Sequence, residues 1–496
     1  MTIAFKSIPA GLRLPGFYAE IDASRANTAA SAQRALIIGQ ITAAGTYAPG
    51  VPVLVASTSD ARTKAGVGSY LAAMIAAYRA NDPFGELWVL PIADDPSHTS
   101  NAGILAFTGT TTAVGTISLY IAGQLVPVVV GAGTGFAAAA AAVVAAVNAA
   151  VDLPVTATLD GSAESRVVLL PRHKGALSGE IDIRVNHAGS AAGQALPAGL
   201  TLTITPILPG AGVPSIAAGL AALGTMPFDF IVSPYTDAAS IAAITALLSD
   251  ATGRWSWQSE IYGHCFIARR GTQGTLASFG AGLNDQHLTC IGFSDSPTPA
   301  YVWAAALAGA VAPSVRADPA VPLQTLPIAG VLAPPPQSRF IPAQRNMLLY
   351  SGISTFRVDA AGAIAIENLV TTYQVNGAGQ ADNSYLEAET MFTLMAVLRA
   401  FAAMFASRFA RVKLGGDGVR YPAGSNVVTP STIRAELVAL YRTLEDAGLV
   451  QASDAFAATV TVNRVPGNPG RVDVLLPVTL IGQLRTIAAQ LQFKLS

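Results

Sequence analysis

The sequence predicts a multidomain α/β and α+β protein: a central parallel-type α/β core carrying an inserted, mostly β domain, then an α+β C-terminal domain, with extended strand-like arms at the two ends. Three observations carry this prediction. From residue 228 onward, short apolar runs without alternation are each followed by a helical run. Between 104 and 213 the texture changes to short Thr-, Val-, Ile- and Leu-rich runs broken by Gly, Ser and Pro. At both chain ends, apolar residues recur with period two.

Taken in order, residues 1–24 form an N-terminal arm. Pro9, Gly11, Pro15 and Gly16 do not suit a helix. Phe17, Ala19 and Ile21 then alternate with Tyr18, Glu20 and Asp22, which predicts a short strand. The first part of the core spans 25–103, with strands at 35–39 and 87–92 and a helix near 68–79. The insertion spans 104–213 and includes ISLYIAG, VPVVVG, RVVLLP, IDIRVN and LTLTITPIL, with one alanine-rich helix among them.

The second part of the core spans 214–375. FDFIVS, HCFIA and LTCIGF are strands, followed by helices at 237–250, 272–282 and 300–311. Such alternation predicts a parallel sheet with helices packed on it. Strands apolar on both faces predict that both are covered. A proline-rich stretch, 313–342, reads as a long loop. Two β runs follow, 346–359 and 362–376.

The C-terminal domain, 376–476, opens with a long helix at 384–412. Met391, Leu394, Met395, Leu398, Phe401, Phe405 and Phe409 give it a wide apolar stripe. Glu387 and Glu389 near its start and Arg408 and Arg411 near its end suit the helix dipole. A second helix starts at Thr429-Pro430-Ser431 and stops at Gly448. The C-terminal arm is 477–496. There Ile487, Ala489, Leu491, Phe493 and Leu495 alternate with Ala488, Gln490, Gln492 and Lys494. A strand in an apolar setting cannot leave its N–H and C=O groups unpaired. It pairs within its own subunit, the commoner case, or adds to a neighbour's sheet.

Composition narrows the function. Half of the residues (51%) are hydrophobic and only 12% are charged, about half the ~25% of ordinary soluble domains. That low charge favours an oligomer with large interfaces. Net charge is −1, and the 29 basic residues are 24 Arg and 5 Lys with no basic run, so a nucleic-acid footprint is not indicated. The excess of Arg fits a GC-rich genome as well as it fits interfaces. Two cysteines, Cys265 and Cys290, make no disulfide framework. The start MTIAFKSIPAGLRLPG has no charged region followed by an apolar one, so no signal peptide is expected. The apolar stretch 136–151 is short of the roughly 20 residues a membrane span needs and carries Asn148. The expectation is a soluble chain made in a cytoplasm.

Four constellations could carry chemistry. VVVGAGTGF (128–136) is strand, glycine-rich turn and helix, but its third glycine is one residue early for a dinucleotide fingerprint. His264 and Cys265 with His287 and Cys290 invite zinc. Adjacent residues of a strand point to opposite faces, however, so the four cannot converge. No Gly-x-Ser-x-Gly elbow marks a nucleophile. Asp237, Arg269, Arg270, Asp285 and Asp295 lie in loops at or near strand ends, where α/β enzymes place active sites. The plainer reading there is loop solvation and charge pairing. No catalytic, metal or cofactor residue is assigned.

Ten stretches in fixed order carry a resemblance: LPGFYAEID, GELWVLPI, FDFIVSPYTD, GHCFIARRGTQG, SPTPAYVWAAALAG, DPAVPLQTLPIAGV, RNMLLYSGISTFRVD, LVTTYQVNGAGQADNSYLEAETMFTLM, VVTPSTIRAELVALYRTLEDAGLV and RVDVLLPVTLIGQLRTIAAQLQF. They cover most of the chain outside 104–213, and together they resemble the tail sheath proteins of Mu-like contractile phages. A departure is the glycine-rich turn 413–418. The resemblance implies a non-enzymatic structural subunit of a virion tail, assembled in the host cytoplasm, with no cofactor, nucleic-acid or membrane role. Its partners would be further copies of itself in six-fold rings or a six-start helix, the tail tube protein, and the baseplate and tail terminator proteins. It implies that contraction drives the tube through a cell envelope, that the insertion faces outward and that the C-terminal domain lies near the tube. It also implies arm contacts with neighbouring subunits: Phe17, Tyr18, Ala19 and Ile21 at the N-terminus, and Ile487, Leu491, Phe493 and Leu495 at the C-terminus. Arg399, Arg408 and Arg411 would face the tube. Alternatives at this point are the sheath of a phage-derived bacteriocin or injection device, a surface-layer protein, and a cytoplasmic α/β enzyme.

Overall fold

The computed structural model of the chain describes residues 33–422 and 424–494. The N-terminal arm residues Phe17, Tyr18, Ala19 and Ile21, and Leu495, lie outside the described residues. The chain enters on β1 (Ala35–Ile41), followed by β2 (Val53–Leu54), α1 (Thr58–Ala65), α2 (Tyr70–Arg79) and β3 (Leu87–Ala93). The α2 helix starts where Ser69 accepts a hydrogen bond from the Ala72 amide, a serine N-cap.

Next come β4 (Gly103–Gly109), β5 (Gly115–Ile121), β6 (Gln124–Val130), α3 (Phe136–Ala149), β7 (Val155–Asp160), β8 (Ala163–Pro171), β9 (Ile183–Val185) and β10 (Leu200–Thr205). They build two small antiparallel sheets, ordered β10-β4-β8-β7 and β6-β5-β9.

The chain then returns through α4 (Ala217–Ala222), β11 (Phe230–Val232), α5 (Ala238–Leu248), β12 (His264–Arg270), α6 (Gln273–Ala281), β13 (Leu288–Phe293), α7 (Ala300–Ala317), α8 (Pro342–Tyr350), β14 (Ile353–Val358) and β15 (Ile364–Asn368). The central sheet has eight strands ordered β15-β14-β13-β12-β11-β1-β3-β2. All neighbours are parallel except β15 on β14 and β2 on β3, at the two edges.

Period-two geometry splits the strands between two apolar layers. Ile37, Val89, Val232, Phe266 and Ile291 face the layer that holds α2, α7 and the start of the long C-terminal helix. Leu36, Leu90, Ile231, Ile267 and Cys290 face α4, α5, α6 and α8. Helices α2 and α7 approach so closely at Gly309 that a Cβ there would lie 2.5 Å from the Tyr78 carbonyl oxygen. The inserted sheets share the first layer, with Leu105, Phe107, Ile117 and Val167 in the same cluster as Tyr70 and Tyr301.

The C-terminal part holds α9 (Ala388–Arg408), β16 (Lys413–Leu414), β17 (Val427–Val428), α10 (Pro430–Asp446), α11 (Ser453–Thr459), β18 (Thr461–Arg464) and β19 (Val472–Leu475). Ala388, Phe392 and Met395 of α9 belong to the main core, while Val397, Phe401 and Met404 belong to a second, smaller core. One helix thus joins the two bodies. It is long and apolar enough to cross a membrane, but Phe392, Met395, Val397, Phe401 and Met404 are buried in the two cores. Ile433, Leu437, Tyr441 and Leu444 of α10 meet it from the other side at helical spacing.

Three expectations change. Residues 346–350, read as β, are the end of α8, because Pro342 opens a helix and the Gln344 side chain accepts the Ile341 amide at 3.0 Å. Helix α7 continues through Pro313 to Ala317 instead of stopping at 311. The C-terminal alternation belongs to no strand here: 481–494 are outside every sheet.

Candidate functional site

Sheet order reverses at β1, since β3 lies on one side of it and β11 on the other. The crevice beyond the strand ends at such a point is where open α/β sheets take ligands. Here the chain fills it with itself. Asp94, just past β3, accepts from Gln40 Nε2 at 2.7 Å and from His173 Nδ1 at 2.9 Å. Burial would raise the Asp94 carboxyl, but hydrogen bonds from His173, Gln40 and the Lys174 amide outweigh it and hold the group below its ordinary range. His173, from the insertion, is fully buried against the Tyr70 ring at 4.3 Å, and its Nε2 accepts the Tyr70 amide at 3.2 Å.

The other loop residues singled out in the sequence are likewise engaged. Arg270 pairs with Glu180 of the insertion at 3.1 Å, and Asp295 with Arg184 at 3.0 Å. Asp237 caps α5 by accepting the Ser240 amide. Arg269 lies 4.0 Å over the Phe279 ring. Asp285 accepts the His287 amide at 2.7 Å. These groups fix loops and dock the insertion.

His264 and Cys265 do point to opposite faces. His264 hydrogen-bonds Thr289 Oγ1 at 2.8 Å and packs beside Phe266 and Phe392. Burial keeps its imidazole neutral, with a pKa lowered to about 3. Cys265 and Cys290 lie in the other layer, and burial raises both thiols, Cys290 to about 12. His287 instead meets Asp250 at 3.0 Å and stacks on Trp255. Among the described residues no group of three or more His, Cys, Asp or Glu is placed to hold a metal. In the glycine-rich turn, the Thr134 amide donates to Thr111 Oγ1 and the Gly133 amide to the Thr111 carbonyl. Those two N–H groups are already used within the chain.

The C-terminal segment is the feature with unspent potential. Its root is tied to both bodies. Val450 bridges Leu480 in antiparallel register, and the Thr479 amide donates to the Tyr441 hydroxyl at 3.0 Å. Gln483 Nε2 donates to the Ala320 carbonyl at 3.3 Å. Arg485 lies between two carboxylates of the α9 start, 2.7 Å from Glu389 and 3.2 Å from Glu387. Beyond it, 486–494 are nine consecutive exposed residues that bond to no described residue. Ile487 is 79% exposed, Leu491 88% and Phe493 76%.

The three arginines fare differently. Arg399 is ion-paired with the buried Asp229 and lies over the Tyr262 ring, so it ties α9 to the core and is not presented outward. Arg408 is exposed and pairs with Glu436 at 3.1 Å, and Arg411 is exposed. Sequence reasoning missed Arg485 as a contact residue. Its signal was available, because it is the lone charge between 477 and 493.

Residues 210–372 match the phage tail sheath protein central domain, and residues 380–494 match the phage tail sheath C-terminal domain. The chain belongs to the phage tail sheath family: it is a structural sheath subunit and a component of the phage particle. Within that family it is of the Mu-like kind. It is 37% identical, over 99% of its own length and 100% of the relative's, to the Mu-like prophage FluMu tail sheath protein of Haemophilus influenzae. Solved structures with a similar trace include the sheath tail protein of Desulfitobacterium hafniense, at 13% identity, 97% and 100% coverage and a TM-score of 0.49. A chain of the anti-feeding prophage baseplate, seen by cryo-electron microscopy, aligns at 10% identity, 98% and 100% coverage and a TM-score of 0.48.

Proposed function

We propose that this subunit polymerises around a tail tube as six-fold rings or a six-start helix, and that its arms add strands to neighbouring subunits. The observation that carries the reading is the run 486–494. It has an alternating pattern, an exposed surface and no strand partner among the described residues. A strand's unpaired edge is a template for another chain. The β18–β19 hairpin offers a matching surface, because neither of its outer edges pairs with another strand among the described residues. Phe17, Tyr18, Ala19 and Ile21 would do the same from the N-terminal arm.

The remaining roles follow. The insertion faces outward; the central-domain match begins at 210 and leaves out nearly all of it. The C-terminal domain, with Arg408 and Arg411 on its surface, meets the tube; Arg399, bound to Asp229, leaves that set. Baseplate and terminator proteins cap the polymer, which assembles in the host cytoplasm, and the chain catalyses nothing. Contraction needs only a second lattice that buries more surface than the first. A few hundred extra Å² per subunit, at ~25 cal/mol per Å², is worth several kcal/mol, repeated along the tail.

Negative-stain microscopy of the purified full chain tests this reading. Tubes of regular width are expected as concentration rises. A chain that stays monomeric or forms only amorphous aggregate contradicts it. Reversing Arg408 and Arg411 to glutamate should weaken assembly on the tube and leave monomer folding unchanged; unaltered assembly removes the tube-contact role.

A further inference from the structure

We propose that Arg485 is the latch that fixes where the C-terminal arm begins: the Glu387–Glu389 pair grips its guanidinium, holds the chain up to that residue to its own subunit and leaves 486–494 free to be given away. The inference rests on the strand-addition reading for the arm's destination, but the latch itself is a property of one chain.

Three observations place the boundary at this residue. The first is burial. Glu389 has no exposed side-chain surface and Arg485 only 17%, in a stretch whose next nine residues are all exposed. A buried carboxylate needs a partner, because desolvation penalises an unpaired charge by far more than an exposed pair gains. The second is orientation. Glu389 Oε1 also accepts the Leu323 amide at 2.6 Å, which fixes the carboxylate against the loop after α7 before the arginine arrives. Burial pushes the Glu387 carboxyl above its ordinary range, and the Arg485 charge opposes that shift, so a cation in the slot favours the ionised pair.

The third is position. Residues 479–481 pair with 449–451 of the C-terminal domain, and 483–485 lie on Ala320, Gln324 and the start of α9. The arm root therefore straps the smaller body to the larger one, and Arg485 is the last fixed point of the strap. One nitrogen, Arg485 Nη2, meets both carboxylates, and drawing a charge so balanced out of a buried slot strands Glu389 without its cation, which resists a pull along the chain. A neighbour can draw on the tip without unzipping the root.

Spin labels on the full chain test this, at concentrations where sedimentation shows single chains. Cys265 and Cys290 are buried, so labels can be confined to introduced cysteines. Leu484→Cys reports the root and Ala488→Cys the tip. The latch predicts slow tumbling at 484 and fast tumbling at 488. In an E387Q/E389Q/R485M background, which strands no buried charge, tumbling at 484 should quicken several-fold to match 488. Equal mobility at both sites in the native chain, or an unchanged slow 484 in that background, overturns the proposal. If the triple variant does not fold, R485K replaces it. Lysine keeps the charge, but its shorter side chain ends short of the place of Arg485 Nη2 between the two carboxylates, so 484 must gain mobility while 488 does not change. Tube formation by a chain lacking 486–496 would sink the strand-addition reading and leave the label result intact, so the two failures are distinguishable.

Discussion

Strand β1 and the segment 486–494 are both largely apolar and have opposite fates. In β1 all seven residues are buried, with a parallel partner on each side and an apolar layer on each face. In 486–494 nothing is buried and no described residue is a partner. The first was written for this subunit. The second leaves Ile487, Leu491 and Phe493 exposed, an apolar run that the proposed strand addition would cover.

That comparison can be broken from several sides. The largest effect should come from charge inside the body. Arg399→Met leaves Asp229, whose side chain is 1% exposed, without its cation. Urea unfolding should show a loss of about 3–5 kcal/mol. The D229N/R399M pair should recover most of it; no recovery would mean that Arg399 acts by packing alone.

Slightly smaller is a direct contrast of two isoleucines. Ile37→Ala, at a fully buried β1 position, should cost roughly 2–5 kcal/mol. Ile487→Ala should leave the monomer within about 0.5 kcal/mol of native. A comparable loss at both sites would place the arm in the subunit's own core.

Acid should then act on the body and not on the arm. The folded pKa of His264 is lowered to about 3 by burial, against an ordinary imidazole value near 6.5. Between those limits the unfolded chain binds a proton that the folded chain refuses, so stability is full above about 6.5 and falls as pH drops toward 3. The slope from this group is about 1.4 kcal/mol per pH unit. His264→Gln should flatten the decline in urea midpoint between pH 6 and 4 by about one proton. An unchanged slope would mean that His264 titrates normally.

The alternation of apolar strand and helix made the parallel order of the central sheet legible, since strands such as 288–293 carry no polar face and must be covered twice. The same logic failed at 346–350, where a short apolar run is ambiguous and Pro342 decided for helix. The alternation at 487–493 was legible, but no local pattern says whether a partner is at hand, and among the described residues it joins no sheet. Arg399 was misplaced for a related reason. A helical position names a face, while its partner Asp229 lies 170 residues away and is found only by folding. The Arg485 latch joins residues about a hundred positions apart and was hidden in the same way.

Deleting 486–496, directly after Arg485, tests the central claim most directly. The account predicts a monomer that melts like the full chain and forms no tubes at any concentration where the full chain does. A truncated chain that still builds tubes of native width, or one that unfolds several kcal/mol more easily, would contradict it.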